Sequence, residues 1–312
     1  DTPESGAACE KRVFKGDING NLYAMDADTG ASCLDFGATE GHPGYVTHWD
    51  YAGNGAGPRH TTSGPIVVGE RVISAVGVED SVVNASDGFV RAFNVKSGAL
   101  EWEFNPIPPA YVNETGAANV WSTLSADLER GLVFLPTTSP SSDFFGGTRK
   151  FKLPYATATV ALSAETGNPV WHYQTTHHDV YDYDLPGHPL LVTIKKDGEL
   201  HDVAIQQSKS GYVFVFDRDT GESLYPIEER AVPRSDVPGE ETSPTQPFPV
   251  LPEPFTLTML TRDDMYGLTP LDRAWCRARF DELRYEGMYT PPSIQGTLHF
   301  PGFAGGGNWG GA

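Results

Sequence analysis

Leu22-Tyr23-Ala24-Met25-Asp26-Ala27-Asp28-Thr29-Gly30 returns three times in altered form: Val90-Arg91-Ala92-Phe93-Asn94-Val95-Lys96-Ser97-Gly98, Thr159-Val160-Ala161-Leu162-Ser163-Ala164-Glu165-Thr166-Gly167 and Val213-Phe214-Val215-Phe216-Asp217-Arg218-Asp219-Thr220-Gly221. A large apolar group stands shortly after each glycine, as Leu34, Trp102, Trp171 and Tyr225. The phrase reads as a strand, a tight turn whose glycine suits positive φ, and a second strand whose apolar group packs on a neighbour. Such a hairpin cannot bury both of its faces alone. The glycines recur at intervals somewhat longer than one four-stranded blade, which predicts an all-β propeller with insertions between strands. Runs such as Ile66-Val67-Val68, Arg71-Val72-Ile73-Ser74-Ala75 and Leu132-Val133-Phe134-Leu135 supply further strands, and about four to five blades are visible in all.

Composition agrees with short strands and many turns: 34 glycines and 25 prolines accompany only 4 methionines. With 39% hydrophobic residues, the 312-residue chain can build a core. Its 41 acidic residues against 22 basic ones give a net charge of -19, which repels nucleic acid and anionic membrane surfaces. No run approaches the length of a membrane helix, and the N-terminus lacks the basic-then-apolar pattern of a signal peptide. Of three cysteines, Cys9 and Cys33 flank one strand pair and Cys276 lies far away; a Cys9–Cys33 disulfide and two buried thiols both remain open.

The densest chemistry lies in Thr176-His177-His178-Asp179-Val180-Tyr181-Asp182-Tyr183-Asp184-Leu185-Pro186, between the strand-like runs Pro169-Val170-Trp171-His172-Tyr173-Gln174 and Leu190-Leu191-Val192-Thr193-Ile194. A strand end is a common address for catalytic groups. The cluster could bind a hard cation through carboxylates, hold zinc through histidines, act as a general base, or be a hydrogen-bonded turn. Zinc is disfavoured because neighbouring side chains on an extended segment point apart.

Residues 232–254 read as a long proline-rich surface connection. A helix follows, capped by Thr269 with Pro270 and Asp272 in its first turn, and Leu271, Trp275, Ala278 and Leu283 recur on one face. The glycine-rich stretch from Phe300 then leads to the end of the sequence, which reads as truncated inside the propeller.

Several ordered phrases together resemble the pyrroloquinoline-quinone (PQQ) dehydrogenases, particularly the membrane-bound glucose dehydrogenase type. They are residues 173–186, Pro244-Thr245-Gln246-Pro247-Phe248, Arg284-Tyr285-Glu286-Gly287-Met288-Tyr289-Thr290-Pro291-Pro292, Phe300-Pro301-Gly302 and Asn308-Trp309-Gly310-Gly311. The resemblance runs across nearly the whole chain. It implies an eight-bladed propeller with PQQ and a divalent metal, Ca2+ or Mg2+, on its axis, of which residues 1–312 form a partial domain without the C-terminal blades. By the same resemblance Asp182 is the catalytic base and a metal ligand, with Asp179 and Asp184 supporting the turn. Lys209 hydrogen-bonds the reactive quinone oxygen, and Trp121 forms the floor beneath PQQ. Glu79 or Asp80 ligates the metal, with a further ligand from Ser139 or Ser141. Tyr181 stands where the family commonly has Trp, and Thr138 replaces a frequent glycine.

The implied protein is a periplasmic enzyme attached to the inner membrane, oxidising a sugar or polyol hydroxyl and passing electrons to ubiquinone. Quinate, shikimate or another alcohol is the alternative substrate. A reading of another class is a non-catalytic scaffold propeller, as in outer-membrane barrel assembly lipoproteins; such a scaffold would carry the repeat without Asp182, Lys209 and Trp121.

Overall fold

A computed structural model describes residues 8–51, 55, 57–309 and 311, so Gly310 of the C-terminal phrase lies outside the described residues. Four antiparallel meanders follow one another in chain order. The first contains Arg12–Gly16, Asn21–Asp26 and Tyr45–Thr47. The second contains Ile66–Val68, Arg71–Ala75, Val90–Asn94 and Leu100–Phe104. The third contains Ser125–Asp127, Leu132–Pro136, Ala158–Ser163 and Pro169–Gln174. The fourth contains Leu190–Lys196, Glu199–Gln207 and Val213–Asp217. The described sheets do not close into a ring, so the all-β architecture is that of an incomplete propeller.

The repeated phrase builds one turn four times. Gly30, Gly98, Gly167 and Gly221 have φ of 74, 75, 71 and 73°, a region open to glycine at little cost. Each glycine N–H returns to the backbone carbonyl of the residue that begins the turn: Asp26, Asn94, Ser163 or Asp217. The side chains of those four residues accept a second bond from the N–H of Thr29, Ser97, Thr166 and Thr220 respectively. Polar side chains at these positions therefore serve the turn and leave the strands free to pack.

The tryptophans join one blade to the next. A Cβ on Gly167 would lie 2.6 Å from the Trp102 ring, and one on Gly221 would lie 2.6 Å from the Trp171 ring. Each indole N–H donates across the junction, Trp102 to the Ala164 carbonyl and Trp171 to the Arg218 carbonyl, both at 3.0 Å. The first and fourth repeats differ. Their second strand shrinks to the single bridges Met25–Ser32 and Phe216–Ser223, and Leu34 is exposed rather than packed.

The core lies between successive sheets. Leu22, Val46, Val72 and Phe93 join the first to the second; Val90, Trp102, Val133 and Val160 join the second to the third; Phe134, Trp171, Phe214 and Phe216 join the third to the fourth. Arg130 adds an ionic clamp at the last junction, reaching Asp127, Asp202 and Asp219 at 3.0, 2.7 and 2.8 Å. Gly221→Ala is expected to cost about 2–3 kcal/mol, from the left-handed backbone and displacement of Trp171. Chemical denaturation would read it, and an unchanged midpoint would show that the junction is plastic.

Cys9 and Cys33 form a disulfide, which resolves the open cysteine reading, and Cys276 is free. Two expectations need correction. Part of residues 232–254 is a strand, because Thr245–Pro249 pairs antiparallel with Ile227–Ala231. Prolines are tolerated there because the ribbon has only two strands, so each has an open edge.

The helix Pro270–Glu282 has the expected capping box between Thr269 and Asp272. However, Leu271 and Trp275 are exposed, while Cys276, Arg277 and Phe280 are the partly covered positions. The ion pairs Arg277–Asp263 and Arg262–Asp281 and the Phe280–Tyr285 ring contact fix that orientation. No helix among the described residues is long and apolar enough to cross a membrane.

Candidate active site

The acidic phrase forms the connection between the third and fourth sheets. Its start is tied down by Gln246, whose side chain accepts from the His177 N–H and donates to the His177 carbonyl, both at 2.7 Å. Gln246 is fully buried on the ribbon strand that sequence patterning had read as loop. Asp179 is an internal splint. It accepts from Tyr181 N–H at 2.8 Å, Tyr183 N–H at 3.1 Å and the Thr157 hydroxyl at 3.0 Å. Burial raises its pKa to about 6 despite these bonds.

The two histidines diverge, although the backbone here is a turn with His178 at φ 42° rather than the expected extended segment: His177 meets Glu229 and Gln174, and His178 meets Glu240. They do not form a zinc pair.

Asp182 adopts φ 56°, a left-handed conformation unusual for a side chain other than glycine and often found where a functional group is aimed. Its Oδ1 accepts from Lys209 Nζ at 2.8 Å. The same ammonium donates to Asp184 Oδ2 at 2.9 Å and lies 5.6 Å from the Trp121 ring centroid. Asp184 completes the frame by accepting from Trp121 Nε1 at 3.0 Å and Ser139 N–H at 2.8 Å. The structure thus brings Trp121, Asp182 and Lys209 together, with Asp184 as the hub.

The electrostatics follow from one buried cation among several carboxylates. Burial works to raise Asp184, but the Lys209 charge and the hydrogen bonds from Ser139 and Trp121 hold it below the usual range. Asp182 is pushed upward by burial and by repulsion from Asp184, against the pull of Lys209. Burial opposes the charge on Lys209, yet the two aspartates hold its pKa above the ordinary value.

Asp80 is raised to about 6 by burial and by Asp184, and Asp143 to about 8 by burial, Asp80 and Asp184. Four carboxylates therefore crowd around one ammonium, and three of them are pushed toward the protonated form, so an added cation would compete with protons for them.

Glu79 is exposed, with its carboxylate taken by the Ser81 backbone and hydroxyl, so Asp80 is the member of that pair coupled to the cluster. Ser139 donates its hydroxyl to Asp143 at 3.0 Å. Ser141 is committed elsewhere, accepting from Gly116 N–H and donating to the Val83 carbonyl. Asp143 and Asp184 were legible in the sequence only as loop or supporting carboxylates. Their importance arises from contacts between distant segments.

The incomplete all-β propeller thus carries a linked set in which buried Lys209 and Asp184 hold half-buried Asp182 and Trp121. The chain belongs to the PQQ family described as the glucose/ethanol/alcohol dehydrogenase β-propeller domain, whose model matches residues 1–312. It is 37% identical to the quinate/shikimate dehydrogenase (quinone) of Acinetobacter baylyi (strain ATCC 33305 / BD413 / ADP1), over 97% of this chain and 38% of that protein. It is 38% identical to quinoprotein glucose dehydrogenase A of Acinetobacter calcoaceticus, over 98% of this chain and 40% of that protein. The solved quinohemoprotein alcohol dehydrogenase ADHIIG from Pseudomonas putida HK5 superposes with a TM-score of 0.57 at 26% identity, covering 71% of this chain and 34% of that one. The chain spans about two fifths of the length of the curated relatives it matches.

The family implies PQQ, and the residues fit such a group. Asn119, adjoining the Trp121 segment, buries both its amide atoms without a partner among the described residues, and so does the Thr138 hydroxyl. Buried polar atoms in that state call for a ligand or water. Trp121 meets Trp309 at 4.5 Å in a tilted pair, and Trp309 is largely exposed. The donors around Asp80, Asp143 and Asp182 are oxygens, the chemistry of a hard cation. Among the described residues, however, no three His, Cys, Asp or Glu side chains are gathered into a metal-holding group.

Proposed function

We propose that the protein to which this chain belongs is a PQQ-dependent dehydrogenase that oxidises a sugar or polyol hydroxyl, with Asp182 as its general base. The observation carrying this reading is the linked set of Asp182, Lys209, Asp184 and Trp121. PQQ, when bound, supplies a quinone able to accept hydride from an alcohol carbon. Trp121 gives the flat ring a stacking surface. Asp182 takes the hydroxyl proton, and its elevated proton affinity makes it a stronger base than an exposed aspartate once ionised. Lys209 stabilises negative charge from a fixed position. Asp184 holds both Lys209 and Trp121 in register.

Asp80 and Asp182, with the Ser139–Asp143 pair beside them, are proposed as oxygen ligands of Ca2+ or Mg2+, which would have to draw these groups together, and Glu79 stays at the periphery. The cation would act as a Lewis acid and favour ionised Asp182. Adding Ca2+ at a hundred times its dissociation constant is expected to stabilise the full-length protein by about 2.7 kcal/mol. Asp143→Asn should remove most of that gain in thermal melts with and without Ca2+. An equal gain in the variant would exclude Asp143 from the site.

Similarity to glucose and quinate enzymes supports a sugar or a cyclic alcohol as substrate and a quinone as the electron acceptor; ubiquinone, and an inner-membrane location facing the periplasm, are the finer proposals. Full-length protein loaded with PQQ and Ca2+, assayed by dye reduction across aldoses, polyols and quinate, tests the activity and ranks the substrates. Absence of turnover with every alcohol, despite bound PQQ, would reject the dehydrogenase reading.

A further inference from the structure

We propose that the cavity behind residues 175–186 binds a small organic anion, a carboxylate or phosphate carried on a partly apolar body, with Arg149 as the charge anchor. The cavity measures about 690 Å³, within the roughly 300–1,000 Å³ of small-molecule sites. Its walls come from the segment around Arg149, Lys150 and Lys152, from His178 and Asp179, and from residues 241–244. Trp121, Asp182 and Lys209 do not line it, so it is separate from the candidate active site.

Arg149 is 1% exposed and forms no ion pair among the described residues, although the charges of Asp179, Glu240 and Asp143 act on it from further away. Its Nη2 donates to the backbone carbonyls of Ser142 and Asp179, while its Nε is buried without a partner. A buried guanidinium ordinarily has an anionic partner, because unpaired charge is costly to remove from water. Lys152 also lacks a carboxylate partner among the described residues, and Lys150 is paired at the rim with Glu241 at 2.9 Å.

The nearby acids are already engaged. Asp179 holds its own turn, and Glu240 accepts from the Gly146 N–H and faces His178. On a chain of net charge -19, the cavity wall gathers three cations, Arg149, Lys150 and Lys152, alongside two carboxylates, Asp179 and Glu241.

The planar fork of Arg149 suits an oxyanion. Phe151, Leu153, Pro140 and Pro154 line the rest of the cavity and suit an apolar body such as a ring. Since Arg149 also holds the Asp179 carbonyl, an occupant would bear on the turn that carries Asp182.

The test is isothermal titration calorimetry of full-length protein with its PQQ site filled, using benzoate, inorganic phosphate and neutral benzamide. Benzoate is expected to bind and benzamide not to bind. Lys152→Glu should weaken benzoate about fivefold or more, with the effect reduced by added salt. Arg149→Lys should weaken it about tenfold; if that variant does not fold, Lys152→Glu alone carries the decision. Equal binding of benzoate and benzamide, no heat from benzoate, or benzoate binding unchanged in Lys152→Glu would each overturn the proposal. Binding of phosphate without benzoate would overturn the organic-anion class and leave a free-phosphate site.

Discussion

Asp182→Asn is expected to lower turnover of the PQQ- and Ca2+-loaded full-length protein by about a hundredfold to ten-thousandfold, the range spanned by general-base contributions. Asparagine has nearly the same shape and can still accept a hydrogen bond from Lys209 through its amide oxygen, but it cannot take the substrate proton. The variant should therefore fold and retain Trp121 and Asp184 in place. Single-turnover reduction of bound PQQ, followed by absorbance, separates the chemical step from electron release to dye. Wild-type reduction rates in the variant would remove Asp182 from the role of base and return the acidic phrase to a purely structural turn.

Lys209→Met should be more damaging to the protein as a whole. In the folded chain one ammonium serves Asp182 and Asp184 at 2.8 and 2.9 Å, and Lys209 is itself 6% exposed. Removing it leaves buried carboxylates without their cation, a change that typically costs about 3–5 kcal/mol. Turnover should also be lost, because the fixed positive charge goes with it.

The pH dependence gives a sharper signature. In the wild type Asp184 is depressed, so its contribution is present above the ordinary carboxylate pKa and fades as pH falls through the folded value. Without Lys209, burial and Asp182 should raise Asp184 instead, and that contribution is then lost as pH rises. The stability difference between variant and wild type should accordingly be small in acid and largest near neutrality. A difference that does not vary with pH would show that Lys209 is not the counter-ion of the pair.

The repeated phrase made the blades legible because its glycine, its turn-capping side chain and its tryptophan each answer a local requirement. Trp102 and Trp171 meet that expectation, while Leu34 does not, since the first repeat lacks a full second strand. The helix was legible from Thr269, Pro270 and Asp272, which act within one turn. Its partly covered face was not, because the ion pairs with Asp263 and Asp281 decide it.

The site shows the same division. The ordered motifs singled out Asp182, Lys209 and Trp121, which the fold brings together. Asp184 as hub, Asp143 as a raised carboxylate and Gln246 as clamp depend on segments that meet only after folding. The strand Thr245–Pro249 was hidden by its prolines, which an open-edged ribbon accepts.

The central claim is that this chain carries a PQQ site framed by Trp121, Asp184 and Lys209. Titrating full-length protein with PQQ in the presence of Ca2+, and following quenching of tryptophan fluorescence, tests it most directly. Saturable binding that is strongly weakened by Trp121→Ala is the predicted result. A folded protein whose fluorescence shows no saturable response to PQQ would contradict the account and favour a scaffold propeller.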